Sequence, residues 1–265
     1  MVEKLPSNAA QMASPSYILP ALDETFLLGE STRGVRFLLE YEKADQILKA
    51  YNVKSTIVVF GSARVLENGP GKQGQWYDEA RKFGRIASER GGALSNSDGV
   101  HRNVIATGGG PGTMAAANRG ARDAGALTIG YNIRLPHEQE PNPYSTPDLT
   151  FQFHYFAMRK MHFAMRANAL VVFPGGFGTF DELFEILTLR QTRKAPRIPI
   201  VLFDEPYWRE IVNFDKLVEY GMIEANDLAL FRFADTGEAT WAALVDQGLG
   251  GAHPNGLSSG KYKDI

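Results

Sequence analysis

ALVVFPGGFGTFDE, at residues 169–182, is the stretch that decides the fold. Its first five residues form a continuous apolar run, which is typical of a β-strand buried on both faces of a parallel sheet. The run passes into Pro174, Gly175 and Gly176, and Thr179 then opens a stretch with helical periodicity. A strand that leads through a glycine turn into a helix is the repeating unit of doubly wound α/β folds.

The same alternation of short apolar runs and longer helical stretches extends along most of the chain. We predict strands at residues 56–60, 103–106, 127–130, 149–153, 169–173 and 198–203. Helical spacing predicts helices at residues 77–90, 113–124, 155–167, 179–193, 208–220 and 238–247. This order implies right-handed βαβ units, so we expect an α/β protein with a Rossmann-like, doubly wound parallel sheet and helices on both faces.

The two ends of the chain differ from its middle. Residues 1–22 and 250–265 are rich in polar residues and helix breakers, which is typical of flexible tails. Apolar residues recur with helical spacing between Gly34 and Tyr51 and predict an N-terminal helical extension. Since neither an internal repeat nor a Pro/Gly/Ser linker interrupts the core, we expect a single domain over residues 23–249.

Composition excludes several classes of protein. The 265 residues are 44% apolar and 22% charged, as in globular proteins, and the formal net charge of −2 gives no general attraction to nucleic acid or an anionic membrane. The absence of cysteine excludes disulfides, thiolate metal sites and Cys nucleophiles. Residues 1–17 lack the apolar region of a secretory signal, and no run approaches the roughly 18 apolar residues of a membrane span, so we expect a cytoplasmic protein.

Three glycine-containing turns follow predicted strands: Gly61-Ser62, residues 108–113 and residues 174–179. Glycine lets the backbone approach a ligand closely. In the last two turns, Thr113 and Thr179 open helices whose free N–H groups favour an anion. Because ligands of open α/β sheets bind where the strands end, these turns predict a phosphorylated ligand. The alternative is that they are only tight strand-to-helix connections.

Other phosphate-binding patterns are absent or weak. The sequence lacks the Gly-x4-Gly-Lys-Ser/Thr pattern of P-loop proteins, since Gly71-Lys72 is followed by Gln73. Residues 110–115 match a loose GxGxxA dinucleotide pattern. However, the strand after them ends in Tyr131-Asn132 and not in the acidic residue that would bind a ribose. A dinucleotide-dependent oxidoreductase is therefore the weaker alternative.

Two charged positions accompany the last turn. Glu182 follows Thr179 by three residues, so the two could form a capping box, and spacing alone slightly favours this. The other explanation is that the Glu182 carboxylate faces the ligand site, where it could stabilise a developing cation. Arg159 and Lys160, near the start of the preceding helix, form either a solvated face or a pair that reaches the same edge of the sheet.

Met158-Arg159-Lys160, followed by PGGFGTFDE at residues 174–182, resembles the paired signature of the Lonely Guy (LOG) family, an Arg-Lys segment and then PGGxGTxxE. The two earlier turns fit the family's order, so the resemblance spans residues 56–202. It implies a phosphoribohydrolase without metal or cofactor, which cleaves a nucleoside 5'-monophosphate, AMP or a cytokinin riboside 5'-monophosphate, into free base and ribose 5-phosphate. An older family label, lysine decarboxylase, gains no support, because we recognise no pyridoxal-phosphate lysine site.

The resemblance also implies residue roles. Glu182 would stabilise the oxocarbenium-like ribose, and Arg159 would hold the phosphate or ribose and orient this carboxylate. Substrate-binding positions would be Gly61, Ser62, Gly110, Gly112, Thr113, Met158, Lys160, Gly175, Gly176, Gly178 and Thr179. The five histidines show no metal-ligand spacing. The resemblance to the family also implies a homodimer or larger homo-oligomer. The alternative is a non-catalytic carrier of a nucleotide or molybdenum cofactor with the same fold.

Overall fold

The computed structural model describes residues 7–94, 98–135 and 140–249, and its strands form one parallel sheet. The described residues form seven strands: β1 Thr56–Phe60, β2 Val104–Thr107, β3 Thr128–Ile133, β4 Thr150–Phe153, β5 Ala167–Val172, β6 Ile200–Phe203 and β7 Arg232–Ala234. Their order is β4-β3-β2-β1-β5-β6-β7, and every neighbouring pair is parallel.

Helices connect the strands. Their bounds are α1 Ala9–Met12, α2 Glu24–Leu28, α3 Arg33–Ala50, α4 Gln73–Arg90, α5 Thr113–Asp123, α6 Phe156–Arg166, α7 Phe177–Gln191, α8 Glu205–Ile211, α9 Phe214–Glu219 and α10 Gly237–Asp246. Short 3-10 turns lie at Pro15–Tyr17, Pro20–Leu22, Glu30–Thr32, Pro147–Leu149 and Ala225–Leu230. No helix in this described part of the chain is long and apolar enough to cross a membrane.

The sheet separates two apolar cores. Alternate residues of a strand point to opposite faces, so Val58 of β1 packs in one core and its neighbour Val59 in the other. The first core includes residues from α6, α7, α8 and α9, and the second includes residues from α4, α5 and α10. The predicted α/β fold, with helices on both faces of a parallel sheet, is confirmed.

The strand order reverses between β1 and β5, which are neighbours in the sheet. The chain runs outward from β1 through β2, β3 and β4, then returns to the other side of β1 and continues through β5, β6 and β7. Helices α4 and α7, which follow β1 and β5, therefore belong to different faces of the sheet. A crevice forms at such a switch point outside the carboxyl ends of the strands, where open α/β sheets bind their ligands.

The structure corrects two predicted elements. The helix predicted over residues 208–220 is wrong, because the chain forms α8 and α9 separately. The Asn213 side chain accepts a hydrogen bond from Lys216 N (3.0 Å) and starts α9 anew. Strand β7 was not expected from the sequence, since three residues are too few to show a periodicity.

The chain divides into two compact units, one ending at Lys43 and one beginning at Ala44. In the first unit, the Thr32 hydroxyl lies 2.8 Å from Phe26 O and 2.8 Å from Gly29 O. Arg36 donates to Leu27 O (2.8 Å), so these contacts fold the segment that follows α2 back on itself. The domain boundaries expected from the sequence stay predictions, and residues 1–6 and 250–265 of the expected tails lie outside the described residues.

Candidate active site

Helix α7 begins two residues earlier than the sequence suggests. Its first residue is Phe177, and Gly176, which has no side chain to cap it, precedes the helix. Thr179 is therefore the third residue of the helix and cannot serve as its N-cap. The capping box between Thr179 and Glu182 is wrong, and the Glu182 carboxylate is available for another partner.

The partner of the Glu182 carboxylate is Arg159. Helices α6 and α7 both begin at the carboxyl edge of the sheet, so the early residues of each helix meet there. Arg159 Nη2 donates to Glu182 Oε1 at 3.0 Å. The side chains are 13% and 5% exposed, so this ion pair is shielded from bulk water. A buried ion pair adds little net stability, because desolvation of the two charges offsets their attraction, so this pair is a candidate functional group.

The Arg159 guanidinium contacts two aromatic rings, but not all of its N–H groups have a hydrogen-bond partner among the described residues. Its carbon lies 5.1 Å from the centre of the Phe156 ring and 5.6 Å from that of Phe163. A Cβ at Gly108 would lie 3.9 Å from Arg159 Nη1, so the guanidinium reaches the middle glycine turn. Its Nε is buried and has no hydrogen-bond partner among the described residues. Arg159 therefore retains a donor for an oxygen of a ligand.

The environment of Glu182 makes its carboxyl group a weaker acid than usual. Burial raises the pKa of Glu182 above its ordinary value of 4.5, although the positive charges of Arg159 and Lys160 act in the opposite direction. The nearby Glu185 adds to the increase. A carboxylate in a site of low polarity interacts more strongly with a positive charge than the same group in water does.

Lys160 faces helix α7. Its Nζ lies 2.8 Å from Asp181 Oδ1 and 3.2 Å from Glu185 Oε2. Lys160, Glu182 and Glu185 line a small cavity with apolar residues of β1 and α6, including Phe60 and Phe163. The structure thus places Lys160 beside the ion pair. Its ion pairs are with the carboxylates of Asp181 and Glu185, which lie on α7 beyond the glycine turn.

The three glycine turns are joined by backbone hydrogen bonds. Ser62 N donates to Pro174 O (3.0 Å), and Thr113 N donates to Ser62 O (3.1 Å). The turn after β1 thereby lies between the other two. The structure brings together the turns that the sequence identified, at the switch point of the sheet.

At Gly61 and Gly175, a threonine side chain occupies the space that a Cβ would need. A Cβ on Gly61 would lie 2.6 Å from Thr113 Cγ2, and one on Gly175 would lie 2.1 Å from Thr179 Oγ1. Neither position tolerates a larger residue without movement of a threonine. The Thr113 hydroxyl is buried and has no hydrogen-bond partner in the described part of the chain, so it can still bind a ligand oxygen.

Two asparagines that sequence reasoning missed hold the middle turn. Gly109 O accepts from Asn142 N (2.8 Å) and from Asn132 Nδ2 (3.2 Å), and Gly110 O accepts from Asn142 Nδ2 (3.1 Å). Gly112 has a φ of 68°, which favours glycine. Nothing local in the sequence marks these asparagines, because Asn132 lies 23 residues after Gly109 and Asn142 lies 32 residues after Gly110.

The remaining candidates have less direct contacts. Met158 is partly buried and packs against the apolar core. His162 is fully buried beside the rings of Tyr131 and Phe153. Among residues 7–94, 98–135 and 140–249, no three metal-ligating side chains cluster. The functional roles assigned to all the candidates from the sequence stay predictions.

Comparison with known proteins shows which family this chain resembles. Residues 114–244 match the model of a family described as "Possible lysine decarboxylase". The cytokinin riboside 5'-monophosphate phosphoribohydrolase LOG4 of Arabidopsis thaliana is 29% identical over 162 residues, which are 55% of this chain and 74% of that protein. The resemblance to the LOG family is confirmed. A probable LOG4 enzyme of Oryza sativa subsp. japonica is 29% identical over 136 residues, 50% of this chain and 58% of its own length.

The fold also has counterparts among solved structures. The X-ray structure of the structural genomics target TM1055 is 19% identical and aligns with a TM-score of 0.50, covering 72% of this chain and 99% of that chain. A molybdenum cofactor binding protein from Rippkaea orientalis is also 19% identical, with a TM-score of 0.49, and the alignment covers 72% of this chain and 95% of that one. At 19% identity the similarity to the TM1055 structure concerns the fold alone.

Proposed function

We propose that this chain is a phosphoribohydrolase that cleaves the N-glycosidic bond of a purine nucleoside 5'-monophosphate to free base and ribose 5-phosphate. The observation that carries the proposal is the buried ion pair of Arg159 and Glu182 beside the interlocked glycine turns. The LOG relatives named as phosphoribohydrolases support it.

The ion pair suits the chemistry of the sugar. Departure of the base leaves positive charge on the ribose, and an adjacent carboxylate stabilises that charge and positions the attacking water. Glu182 is the candidate for this role. Arg159 holds the carboxylate in place with one donor, and its unpaired Nε is suited to a phosphate or ribose oxygen.

The turns suit the 5'-phosphate. The first N–H groups of an α-helix have no partner within the helix, and the helix dipole adds a partial positive charge there. Helices α5 and α7 both begin directly after a glycine turn at the same edge of the sheet. We assign the phosphate to this edge, with donors from the backbone near Gly112 and Gly176 and from the Thr113 hydroxyl.

The base is the less constrained part of the proposal. The LOG relatives are named for cytokinin riboside 5'-monophosphates. AMP has the same adenine ring, ribose and phosphate but lacks the cytokinin side chain. We therefore propose AMP and cytokinin riboside 5'-monophosphates as the two substrate candidates, in a cytoplasmic homodimer or larger homo-oligomer that light scattering of the purified chain would detect.

The deciding experiment incubates the purified chain with AMP and, in parallel, with isopentenyladenosine monophosphate, and measures free base by chromatography. We expect base release by the wild type and its loss in Glu182→Gln. Glu89→Gln, an exposed glutamate on α4, is the matched control and should match the wild type. The ratio of the two rates distinguishes nucleotide salvage from cytokinin activation.

The alternative is a non-catalytic carrier of the same fold. If no base is released from either nucleotide, or from GMP, CMP and UMP, the hydrolase proposal is wrong and the carrier becomes the better explanation. Equal activity of Glu182→Gln and the wild type would instead contradict the role given to Glu182.

A further inference from the structure

All three carbonyl groups of the Pro174-Gly175-Gly176 turn accept hydrogen bonds. Pro174 O accepts from Ser62 N (3.0 Å) and Gly176 O from Phe180 N (3.0 Å). Gly175 O accepts from the Tyr207 hydroxyl (2.7 Å). Two of these donors are backbone groups, whereas the third is a side chain from a different part of the chain. An anion site needs its carbonyl oxygens directed away from the ligand, because they repel negative charge.

The Tyr207 bond determines the direction of the next N–H group. In a planar trans peptide, the C=O of Gly175 and the N–H of Gly176 point in opposite directions. A peptide between two glycines rotates more easily than others, since neither residue has a Cβ to restrict it. By holding Gly175 O, Tyr207 fixes the Gly176 N–H on the opposite side of the peptide, at the start of α7.

Tyr207 is itself held by a buried carboxylate. Asp204, at the end of β6, accepts from Tyr207 N (3.1 Å) and from Trp76 Nε1 (2.7 Å), and Lys72 Nζ lies 3.0 Å from its Oδ2. The Trp76 and Tyr207 rings meet edge to face, with centroids 5.7 Å apart. Asp204 has a φ of 69°, a conformation that L residues rarely adopt unless their surroundings enforce it.

The Tyr207 hydroxyl remains a hydrogen-bond donor over the working pH range. Burial raises the pKa of Tyr207 above its ordinary 10.0. The phenol is therefore neutral near pH 7 and keeps its proton. The Asp204 carboxylate behaves in the opposite way, since donation from Trp76 and Lys72 outweighs burial and lowers its pKa below 3.8.

We propose that Tyr207 is a positioning residue for the 5'-phosphate, which orients the Gly175-Gly176 peptide so that the Gly176 N–H donates to a phosphate oxygen, and that Asp204 holds Tyr207 in this position. This inference rests on the proposed function for the identity of the ligand. It concerns binding of the phosphate and not the cleavage step. Tyr207 does not touch the reacting atoms, so its loss should weaken binding and leave the chemistry intact.

The test is Tyr207→Phe, which removes one hydroxyl and keeps the ring between its neighbours. We expect the Kd of ribose 5-phosphate, measured by calorimetry, to rise about 10-fold, as for the loss of one hydrogen bond in a ligand site. The Kd of AMP, measured in the Glu182→Gln background that does not cleave it, should rise by the same factor. Adenosine, measured as a competitor of AMP, should change less than about twofold because it carries no phosphate. In turnover, KM should rise while kcat stays within about twofold.

Two further variants separate positioning from general damage. Tyr220→Phe, at an exposed tyrosine of the same unit, should leave every constant unchanged. Asp204→Asn can still accept a hydrogen bond from Tyr207 N but loses the charge that attracts Lys72. If Asp204 acts through Tyr207, the double variant Asp204→Asn/Tyr207→Phe should bind AMP no more weakly than the worse single variant.

The outcomes distinguish this inference from the proposed function. Binding of AMP by the wild type without release of base would contradict the proposed function and leave the role of Tyr207 to be decided by the Kd values. An unchanged Kd for ribose 5-phosphate in Tyr207→Phe would overturn the inference, as would equal weakening for AMP and adenosine. Failure of the wild type to bind ribose 5-phosphate at all would overturn it too.

Discussion

Arg159 and Glu182 lie 23 residues apart in the chain, yet Nη2 of the arginine and Oε1 of the glutamate are 3.0 Å apart. The reason is topological. Helix α6 leads into β5, and β5 leads through the glycine turn into α7, so the two helices begin at the same edge of the sheet. Each helix contributes one charge from its early turns, and the strand between them sets the distance.

Removal of the Glu182 charge should abolish most of the activity. We expect Glu182→Gln to lower kcat at least ~10²-fold, because the developing cation loses its counter-charge. The amide has nearly the shape of the carboxylate, so the thermal unfolding midpoint should change little. Base release and circular dichroism measure the two effects on the same sample.

Glu89→Gln provides the comparison for this variant, as an exposed glutamate on another helix. Turnover of Glu182→Gln near that of Glu89→Gln would mean that Glu182 only holds Arg159 in place. A large fall in the unfolding midpoint of Glu182→Gln would mean that lost structure, and not lost charge, explains the lower kcat.

Glu182 should titrate above pH 4.5 in the free protein. Its burial disfavours the ionised form more than Arg159 and Lys160 favour it. Because the folded-state pKa is raised, ionisation of Glu182 costs stability as the pH rises through that pKa. Carbon NMR of the labelled glutamate carboxyl groups measures the midpoint, with the signal assigned by its absence in Glu182→Gln. A midpoint at or below 4.5 would contradict the prediction.

Arg159 should act on Glu182 through its charge as well as through its bond. Arg159→Ala removes a positive charge that lowers the pKa of Glu182, so the NMR midpoint should move further upward. Arg159→Lys keeps the positive charge and should move the Glu182 midpoint less than Arg159→Ala does. Both variants lose the planar guanidinium, whose two parallel N–H groups suit a phosphate. Turnover should fall in both variants, by at least ~10-fold in Arg159→Ala.

The control for these variants is Arg85→Ala, an exposed arginine on α4. Arg85→Ala should have the same Glu182 titration midpoint and the same turnover as the wild type. A downward movement of the Glu182 midpoint in Arg159→Ala would show that greater exposure to water, and not loss of the charge, dominates in that variant.

Much of the fold could be predicted because it is recorded in local patterns. Strand β1 matches its prediction over residues 56–60, since a short run of β-branched and apolar residues between a serine and a glycine is a clear strand pattern. The start of α7 could not be predicted in the same way. Glycine is a poor helix former, so Thr179 is the expected N-cap, whereas the helix begins at Phe177 and the Thr179 side chain lies over Gly175.

The residues of the candidate site also fall into two groups, those that a local sequence pattern marks and those that it does not. Arg159, Glu182 and the glycine turns lie in contiguous signatures and were found from the sequence. Asn142 and Tyr207 hold those turns from loops and helices far along the chain, and no local pattern marks them. Periodicity and spacing report contacts within one element or turn, whereas these residues act across elements that only the sheet order brings together.

Two glycines of the last turn should respond differently to alanine. A Cβ at Gly175 would lie 2.1 Å from Thr179 Oγ1, and Thr179 is buried, so Gly175→Ala should lower the free energy of unfolding by about 1–3 kcal/mol. Among the described residues, and apart from its chain neighbours and the backbone of its own helix, no atom lies within 4 Å of a Cβ at Gly178. Gly178→Ala should therefore be neutral or stabilising by up to about 1 kcal/mol. Urea unfolding measures both.

Ligand binding should separate from stability at Gly178. The open space beside this residue lies at the start of α7, where we place the phosphate, so the added methyl group should weaken AMP binding while the fold stays intact. Calorimetric titration with AMP measures this. If Gly178→Ala binds AMP as the wild type does, the phosphate does not approach the start of α7, and its donors must come from the α5 turn at Gly112 and Thr113.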